Sequence, residues 1–327
     1  MLKVVFIIES EHSAAARYRV LVNAETFEQH GIDIYPMILP RSRRGRSKLF
    51  RDVGGYDIVV LQRRLLQPWD LAALRRRVRV LGYDFDDAVM FGEGRGRLGG
   101  LSRRVKFAAV MRSADLVTAG NSYLCEMCPV DDSRKSVVHT PVDTDVYRPR
   151  EHGDGPLRVG WVGSASTLEY LEAVLPAIER AAGRTHLELA VMADRFPLRR
   201  PFIRRIEWSE HAEPAEVARF DVGIMPLPDN PWTRGKCGFK LLLYGACGLS
   251  SVASPVGMNR EIICDGRTGL FASSLAEWEE ALVRLALDAD LRERMGRAAR
   301  ERVEAVYSSE VVIARWARLL QEAGKQA

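Results

Sequence analysis

Short apolar runs alternate with helical patterns along this 327-residue chain, and that alternation leaves few folds open. Val4 to Ile8, Ile34 to Ile38, Ile58 to Leu61, Leu81 to Phe85, Leu116 to Val117 and Val137 to Val138 read as strands. Helical patterns lie between them, near Ala15 to His30, Asp70 to Val80, Leu101 to Ser113 and Ser122 to Met127. Strands this apolar are buried on both faces, so they belong in a parallel sheet covered by helices. A stretch rich in Pro, Gly and charge, Tyr147 to Pro156, breaks the pattern and reads as an interdomain linker. It restarts with Leu157 to Val162, a helix from Thr167 to Ala182, and strands at Leu187 to Met192, Arg205 to Trp208 and Asp221 to Met225. Two amphipathic helices close the chain, Leu275 to Tyr307 with an internal break and Ser309 to Ala323. The expectation is an α/β protein of two doubly wound, Rossmann-like domains, residues 1–150 and 156–308.

Composition narrows the function. The run Met1 to Ile8 is stopped by Glu9 and Glu11, too early for a secretory segment, and a cytoplasmic location is expected. Five cysteines are an odd number, and Cys125-Glu126-Met127-Cys128 lies late in a helix rather than at its start, so buried thiols are expected instead of a redox pair. Gly160-Trp161-Val162-Gly163 lacks the third glycine of a dinucleotide fingerprint, and hydrolase signatures are absent. The formal charge of +5 arises wholly in residues 1–155, with 25 basic against 20 acidic residues. Residues 41–106 alone hold 17 basic and 7 acidic residues, including Arg41 to Arg51, Arg75 to Arg79, and Arg95 to Lys106. Such a run is either a solvated surface or a face for anionic lipid. No aromatic interleaving or recognition motif supports nucleic acid as a partner.

The densest chemistry lies between Pro226 and Gly269. Pro226 closes the strand Asp221 to Met225, and Arg234, Lys236 and Lys240 arrive as a helix starts near Gly238. Cations beside the positive end of a helix suit an anion such as a diphosphate. Gly245, Ala246 and Gly248 let that helix lie close to a sheet or a ligand. After the strand Ser251 to Ser254, the turn Pro255 to Asn259 leads into a helix whose first turn holds Glu261. Both loops follow strand ends, where open parallel sheets bind ligands.

This stretch resembles the nucleotide-sugar-binding core of a family 4 (group 1) glycosyltransferase with the GT-B fold. Ala114 to Asn121 and Thr140 to Pro149 look like the end of a GT-B N-terminal domain, and Val159 to Ser164 like the start of its C-terminal domain. The resemblance implies two Rossmann-like domains about a cleft, with the last helix, about residues 309–327, packing back on the first domain. It also implies transfer of a sugar from a nucleoside diphosphate to a glycan, lipid-linked or small acceptor, with retention of configuration. Two glutamates usual in the family align with Gly235 and Leu243, and the basic pair after the first C-domain strand is replaced by Ser164 to Thr167.

Diphosphate neutralisation is therefore expected to fall to Arg234, Lys236 and Lys240, with Gly163, Ser164 and Thr167 giving neutral hydrogen bonds, and no obligatory metal or other cofactor. Asn259 and Glu261 complete the expected donor residues, and the family's first loop sets Ser13 on the opposite lip. Asp86 and Asp87, in Asp84-Phe85-Asp86-Asp87, are the catalytic candidates, as acceptor base or sugar-hydroxyl acceptor; a capping role and a metal-binding role for the aspartates are the alternatives.

Overall fold

A computed structural model describes residues 1–91, 97–150, 155–197 and 199–326. The chain divides into two compact units. One comprises Met1–Pro141, Asn230–Cys237 and Ser309–Ala327; the other comprises Val142–Asp229 and Gly238–Ser308.

The first unit is built on strands β1 (Leu2–Ile8), β2 (Ile32–Ile38), β3 (Ile58–Gln62), β4 (Val80–Phe85), β5 (Leu116–Ala119) and β6 (Lys135–Val137). They form one parallel sheet in the order β2-β1-β3-β4-β5-β6. From Val4 onward β1 is buried, as are all of β3 and β4, which accounts for their apolar sequences. The helix Ser309–Gln326 belongs to this unit, and its Trp316 packs edge-on against Phe6 and Phe27 at centroid distances of 5.4 and 5.6 Å.

The same indole faces a buried ion pair. Arg19 and Asp84 have side chains 0% exposed, and the guanidinium meets both carboxylate oxygens, Nε at 3.0 Å and Nη2 at 2.6 Å. Asp84 also accepts from Gln62 Nε2 (3.2 Å) and Thr118 Oγ1 (2.8 Å). Arg19 Nη1 donates to the Val138 carbonyl (3.0 Å) and Thr140 Oγ1 (3.3 Å), and its guanidinium carbon lies 5.1 Å from the Trp316 ring centroid.

The second unit carries β7 (Leu157–Val162), β8 (Leu187–Ala193), β9 (Ile203–Glu207), β10 (Val222–Met225), β11 (Ser250–Ala253) and β12 (Leu270–Phe271). Their parallel order is β12-β11-β10-β7-β8-β9. Sequence order reverses between β7 and β10. Those two strands pair only at Val222↔Val159 and Gly223↔Gly160 before diverging. Tyr244, on the helix Phe239–Ala246, fills the opening: its hydroxyl accepts from Val162 N at 3.1 Å and donates to the Ile224 carbonyl at 3.5 Å. Gly223 admits the ring, since a β-carbon there would stand 2.1 Å from Tyr244 Cδ2. Gly160 does the same for Phe220, at 1.9 Å.

Several elements differ from the sequence expectation. The helix expected over Ala15 to His30 is two short helices, Ala14–Arg19 and Ala24–Gln29, and that over Thr167 to Ala182 is broken into Leu168–Glu172 and Leu175–Arg184. Arg43–Asp52 is helical within the basic run; its apolar residues Leu49 and Phe50 give no period to read, but Ser42 caps it by accepting from Gly45 N at 3.1 Å. The short β12 carries too little pattern to detect.

The division between units falls at Pro141–Val142, not within Tyr147 to Pro156, of which residues 151–154 lie outside the described ones. Arg300 gives the reason. It donates to the carbonyls of Tyr147 (2.6 Å), Thr144 (2.9 Å) and Ala246, while Tyr147 Oη donates to Glu213 Oε2 at 2.7 Å. These bonds tie residues 144–147 into the second unit.

Breaking a buried pair leaves an uncompensated charge, whereas replacing both partners does not. Arg19→Met should lower unfolding stability in urea by about 3–5 kcal/mol, and Arg19→Met with Asp84→Leu should recover much of the loss. Equal stability of Arg19→Met and wild type would contradict the role given to the pair. Tyr244→Phe should cost about 1–3 kcal/mol in the same measurement, because Val162 N–H loses its acceptor.

Candidate functional site

In the second unit the strand-order reversal sets the site. Gly163 follows β7, its N–H donating to the Met192 carbonyl at 3.0 Å, and a β-carbon on it would strike the buried Trp161 ring at 2.3 Å. Lys240, in the first turn of the helix Phe239–Ala246, holds its ammonium 5.4 Å from the centroid of that ring. Gly238 caps this helix at φ +65°, and a β-carbon there would meet Ile262 Cδ1 at 2.3 Å, so the residue suits its place twice over. The loops after β10 and β11 are stitched by Ser254, whose Oγ accepts from Leu227 N (3.0 Å) and whose N–H reaches the Met225 carbonyl (3.1 Å).

The other residues expected around a donor have distinct local duties. Ser164 Oγ pairs with Ser166 Oγ at 2.9 Å, and Thr167 Oγ1 donates to the Ser164 carbonyl at 3.1 Å, so these hydroxyls shape the exposed turn after Gly163. Asp194 accepts from Ala165 N in the same turn at 3.0 Å. Asn259 is buried and donates to the Ser254 carbonyl at 2.9 Å. Glu261 stands in the first turn of the helix Asn259–Ile262, its carbonyl held by Arg302 Nη2 at 2.5 Å. Gly245 faces Val303 and Ala299 of the helix Ala289–Val306, which explains its small size by helix packing.

Arg234 and Lys236 lie in the first unit, apart in the chain's division from Lys240. Arg234 ends the short helix Pro231–Arg234, and Lys236 Nζ sits 4.0 Å from Asp87 Oδ1 and 5.4 Å from the Trp232 ring centroid. Only Lys240 of the three occupies the first turn of the helix after Gly238. The segment is held by Cys237 Sγ donating to the Asp86 carbonyl (3.1 Å) and Asn121 Nδ2 donating to the Lys236 carbonyl (3.1 Å). Gly235 is packed on Ala88, where a β-carbon would come within 2.7 Å of Ala88 Cβ, and Leu243 is 2% exposed. The two positions that align with the family's glutamates are thus interior, and at Gly235 even a β-carbon meets its neighbour.

Asp86 and Asp87 follow β4 and converge on Arg63, just after β3. Arg63 Nη2 donates to Asp87 Oδ2 at 2.7 Å, and Nε lies 3.4 Å from Asp86 Oδ1, which is buried without a hydrogen bond. Asp86 first, and Asp87 after the opposing effect of burial, push the Arg63 guanidinium above the ordinary arginine value. Neither aspartate caps a helix among the described residues. Asp84 is taken up by Arg19, Gln62 and Thr118, so it is not available to a metal-binding pair with Asp86. Ser13 caps Ala14–Arg19 by accepting from Ala16 N at 3.3 Å, on the loop that follows β1. Burial pushes the Cys128 thiol up to about 12, and its Sγ donates to the Leu124 carbonyl at 3.3 Å, as befits a structural cysteine.

Sequence reasoning missed Arg63. It is the one non-glycine residue with positive φ among the described residues, at 57°. Its N–H donates to the Asp84 carbonyl (2.8 Å) and its carbonyl accepts from Tyr83 Oη (3.2 Å), so neighbouring β4 holds the unfavourable conformation. Nothing local in Leu61-Gln62-Arg63-Arg64 announces it.

Residues 157–288 match the family described as Glycosyl transferases group 1. No curated protein matches the chain in sequence. In structure it is similar to sucrose-phosphate synthase from Thermosynechococcus elongatus, with TM-score 0.81, 14% identity and 100% of each chain covered. It is also similar to Anabaena HepE, solved in complex with UDP and glucose (TM-score 0.75, 14% identity, 98% of this chain and 100% of that one). A glycosyltransferase from Rickettsia africae aligns with TM-score 0.73 and 11% identity over 100% and 99% of the two chains. The two six-stranded parallel sheets are those of the GT-B fold, and residues 157–288 are similar to the group 1 glycosyltransferases.

Proposed function

We propose that this protein is a glycosyltransferase that takes its sugar from a nucleoside-diphosphate sugar held by the second unit. The observation that carries the reading is the reversal between β7 and β10, with Gly163 at the end of β7 and Lys240 over Trp161 beside it. Open parallel sheets take nucleotides at such a reversal. Lys240 and the N–H groups of the turns carrying Ser164, Thr167, Asn259 and Glu261 face the diphosphate and sugar in this reading. HepE, solved with UDP and with UDP-glucose, makes UDP the first nucleotide to try.

The finer assignments rest on the family resemblance and on charge. Transfer proceeds with retention. Protein cations neutralise the diphosphate, so no divalent metal is obligatory. Asp86 and Asp87 serve the acceptor, a glycan, lipid-linked or small molecule, as base or hydroxyl-binding carboxylates, with Arg63 and Lys236 orienting them. One observation favours a second reading. The interior positions of Gly235 and Leu243 deny the donor sugar two carboxylates, which suits a protein that binds the nucleotide without transferring, or one that hydrolyses or isomerises its donor. Product analysis with and without acceptor separates these.

The basic surface of the first unit holds the enzyme at an anionic bilayer, as a peripheral protein in the cytoplasm. Arg43, Arg44, Lys48 and Arg51 are exposed on the helix Arg43–Asp52, and Trp69, 58% exposed, begins the adjoining helix Pro68–Arg75. Arg46 and Arg75 are instead paired with Asp70 (3.0 Å) and Asp115 (3.2 Å), and Arg95 lies outside the described residues. No described helix is long and apolar enough to cross a membrane.

UDP should bind by calorimetry, and at 100 times its dissociation constant should stabilise the protein by about 2.7 kcal/mol. Lys240→Ala should weaken it by about tenfold or more, the worth of a charge-assisted phosphate bond, and EDTA should change neither binding nor turnover. Unaltered affinity in Lys240→Ala would remove the site assignment, and full, reversible loss in EDTA would remove the metal-free one. In sedimentation, the protein should follow anionic but not neutral vesicles, and lose that binding at high salt and in Arg43→Ser/Arg44→Ser/Lys48→Ser. Indifference to vesicle charge at low salt would leave the surface to solvation alone.

A further inference from the structure

The first unit contains a cavity of about 650 Å³ beyond the ends of β3 and β4. Arg63, Val89, Phe91, Arg103, Lys106 and Trp232 are among its walls. Its charge is one-sided. Arg63 is balanced by Asp86 and Asp87, and Arg64, also on the wall, is paired with Glu9 at 2.5 Å. Arg103 and Lys106 have no carboxylate within ion-pair distance among the described residues. Three apart on the helix Arg97–Ser113, they stand on one face of it, and Arg103 is steadied by its bond to the Val89 carbonyl at 3.2 Å.

One further observation points to a ligand here. Trp232 Nε1 is buried without a hydrogen-bond acceptor, although an indole N–H taken out of water ordinarily has one. Arg63, on the same wall, has the acceptor-side aspartates as its carboxylate partners. An oxyanion between Arg103 and Lys106 would compensate both cations, with Trp232 and Phe91 as the apolar wall for the group that bears it.

The geometry points to an acceptor-binding cavity that selects acceptors carrying a phosphate or carboxylate group, bound by Arg103 and Lys106. This rests on the glycosyltransferase reading of the chain. The ligand chemistry is shared by a phosphorylated sugar and a lipid phosphate, and the two differ in the apolar tail.

The test is calorimetric titration of the full chain with glucose phosphate, glucuronate, dodecyl phosphate and, as the neutral control, glucose. At least one anionic probe should bind and glucose should not. Arg103→Ser and Lys106→Ser should each weaken the anion by about tenfold or more, and Trp232→Phe, which keeps the ring and removes the N–H, should weaken it less. UDP is titrated into the same samples; unchanged UDP affinity shows that the variants are folded. Preference for dodecyl phosphate assigns the lipid source, and preference for the sugar anions assigns the soluble one. Binding of glucose as tight as that of the anions, no anion binding, or anion binding untouched by both cation variants overturns the inference, whatever UDP does. Loss of UDP binding in the wild type would instead count against the donor reading.

Discussion

The first unit is organised around one ion pair that water does not reach. Arg19 comes from the helix after β1, Asp84 from β4, and their partners come from β3, β5 and the segment after β6, with Trp316 of the final helix over the guanidinium. Burying two charges is expensive, and the expense is offset here by four hydrogen bonds from Arg19 and two more to Asp84 from Gln62 and Thr118. The pair therefore tolerates little displacement. A shift of β4 against the first helix would strand a charge, so the network fixes where the residues after β4 begin. Those residues are Asp86 and Asp87.

From that fixed point the chemistry is passed outward by short links. The Asp84 carbonyl accepts from Arg63 N, Arg63 grips Asp87, and Lys236 approaches Asp87 from a segment that is distant in sequence. The interior end of this series of contacts is buried and charge-neutral. Its outer end, at Arg103 and Lys106, is cationic.

The second unit solves a different problem. Where β7 and β10 part, backbone groups lose their ladder partners, and the opening is a defect in the sheet. Tyr244 repairs it with one hydroxyl that accepts from Val162 and donates to Ile224, and burial pushes the phenol further above its ordinary value. Because Tyr244 shares a helix with Lys240, the repair also sets the position of the cation over Trp161.

The sequence by itself determined the α/β class, almost every strand and the parallel arrangement, because unbroken apolar runs such as Val4 to Ile8 in β1 and Val159 to Val162 in β7 are a local property that a sheet buried on both faces satisfies. It also showed that Gly235 and Leu243 are not carboxylates and that Asp84 to Asp87 is a dense cluster. Which aspartate does what was decided by tertiary structure: Asp84 went to Arg19, 65 residues away, and Asp87 to Arg63 and Lys236. Arg234, Lys236 and Lys240, consecutive enough to read as one cluster, were divided between two units because Cys237 and Asn121 bind the loop to the first one. Periodicity reports the environment of a side chain's own element; it carries no record of which distant charge will come within bonding distance, since that depends on how the elements pack.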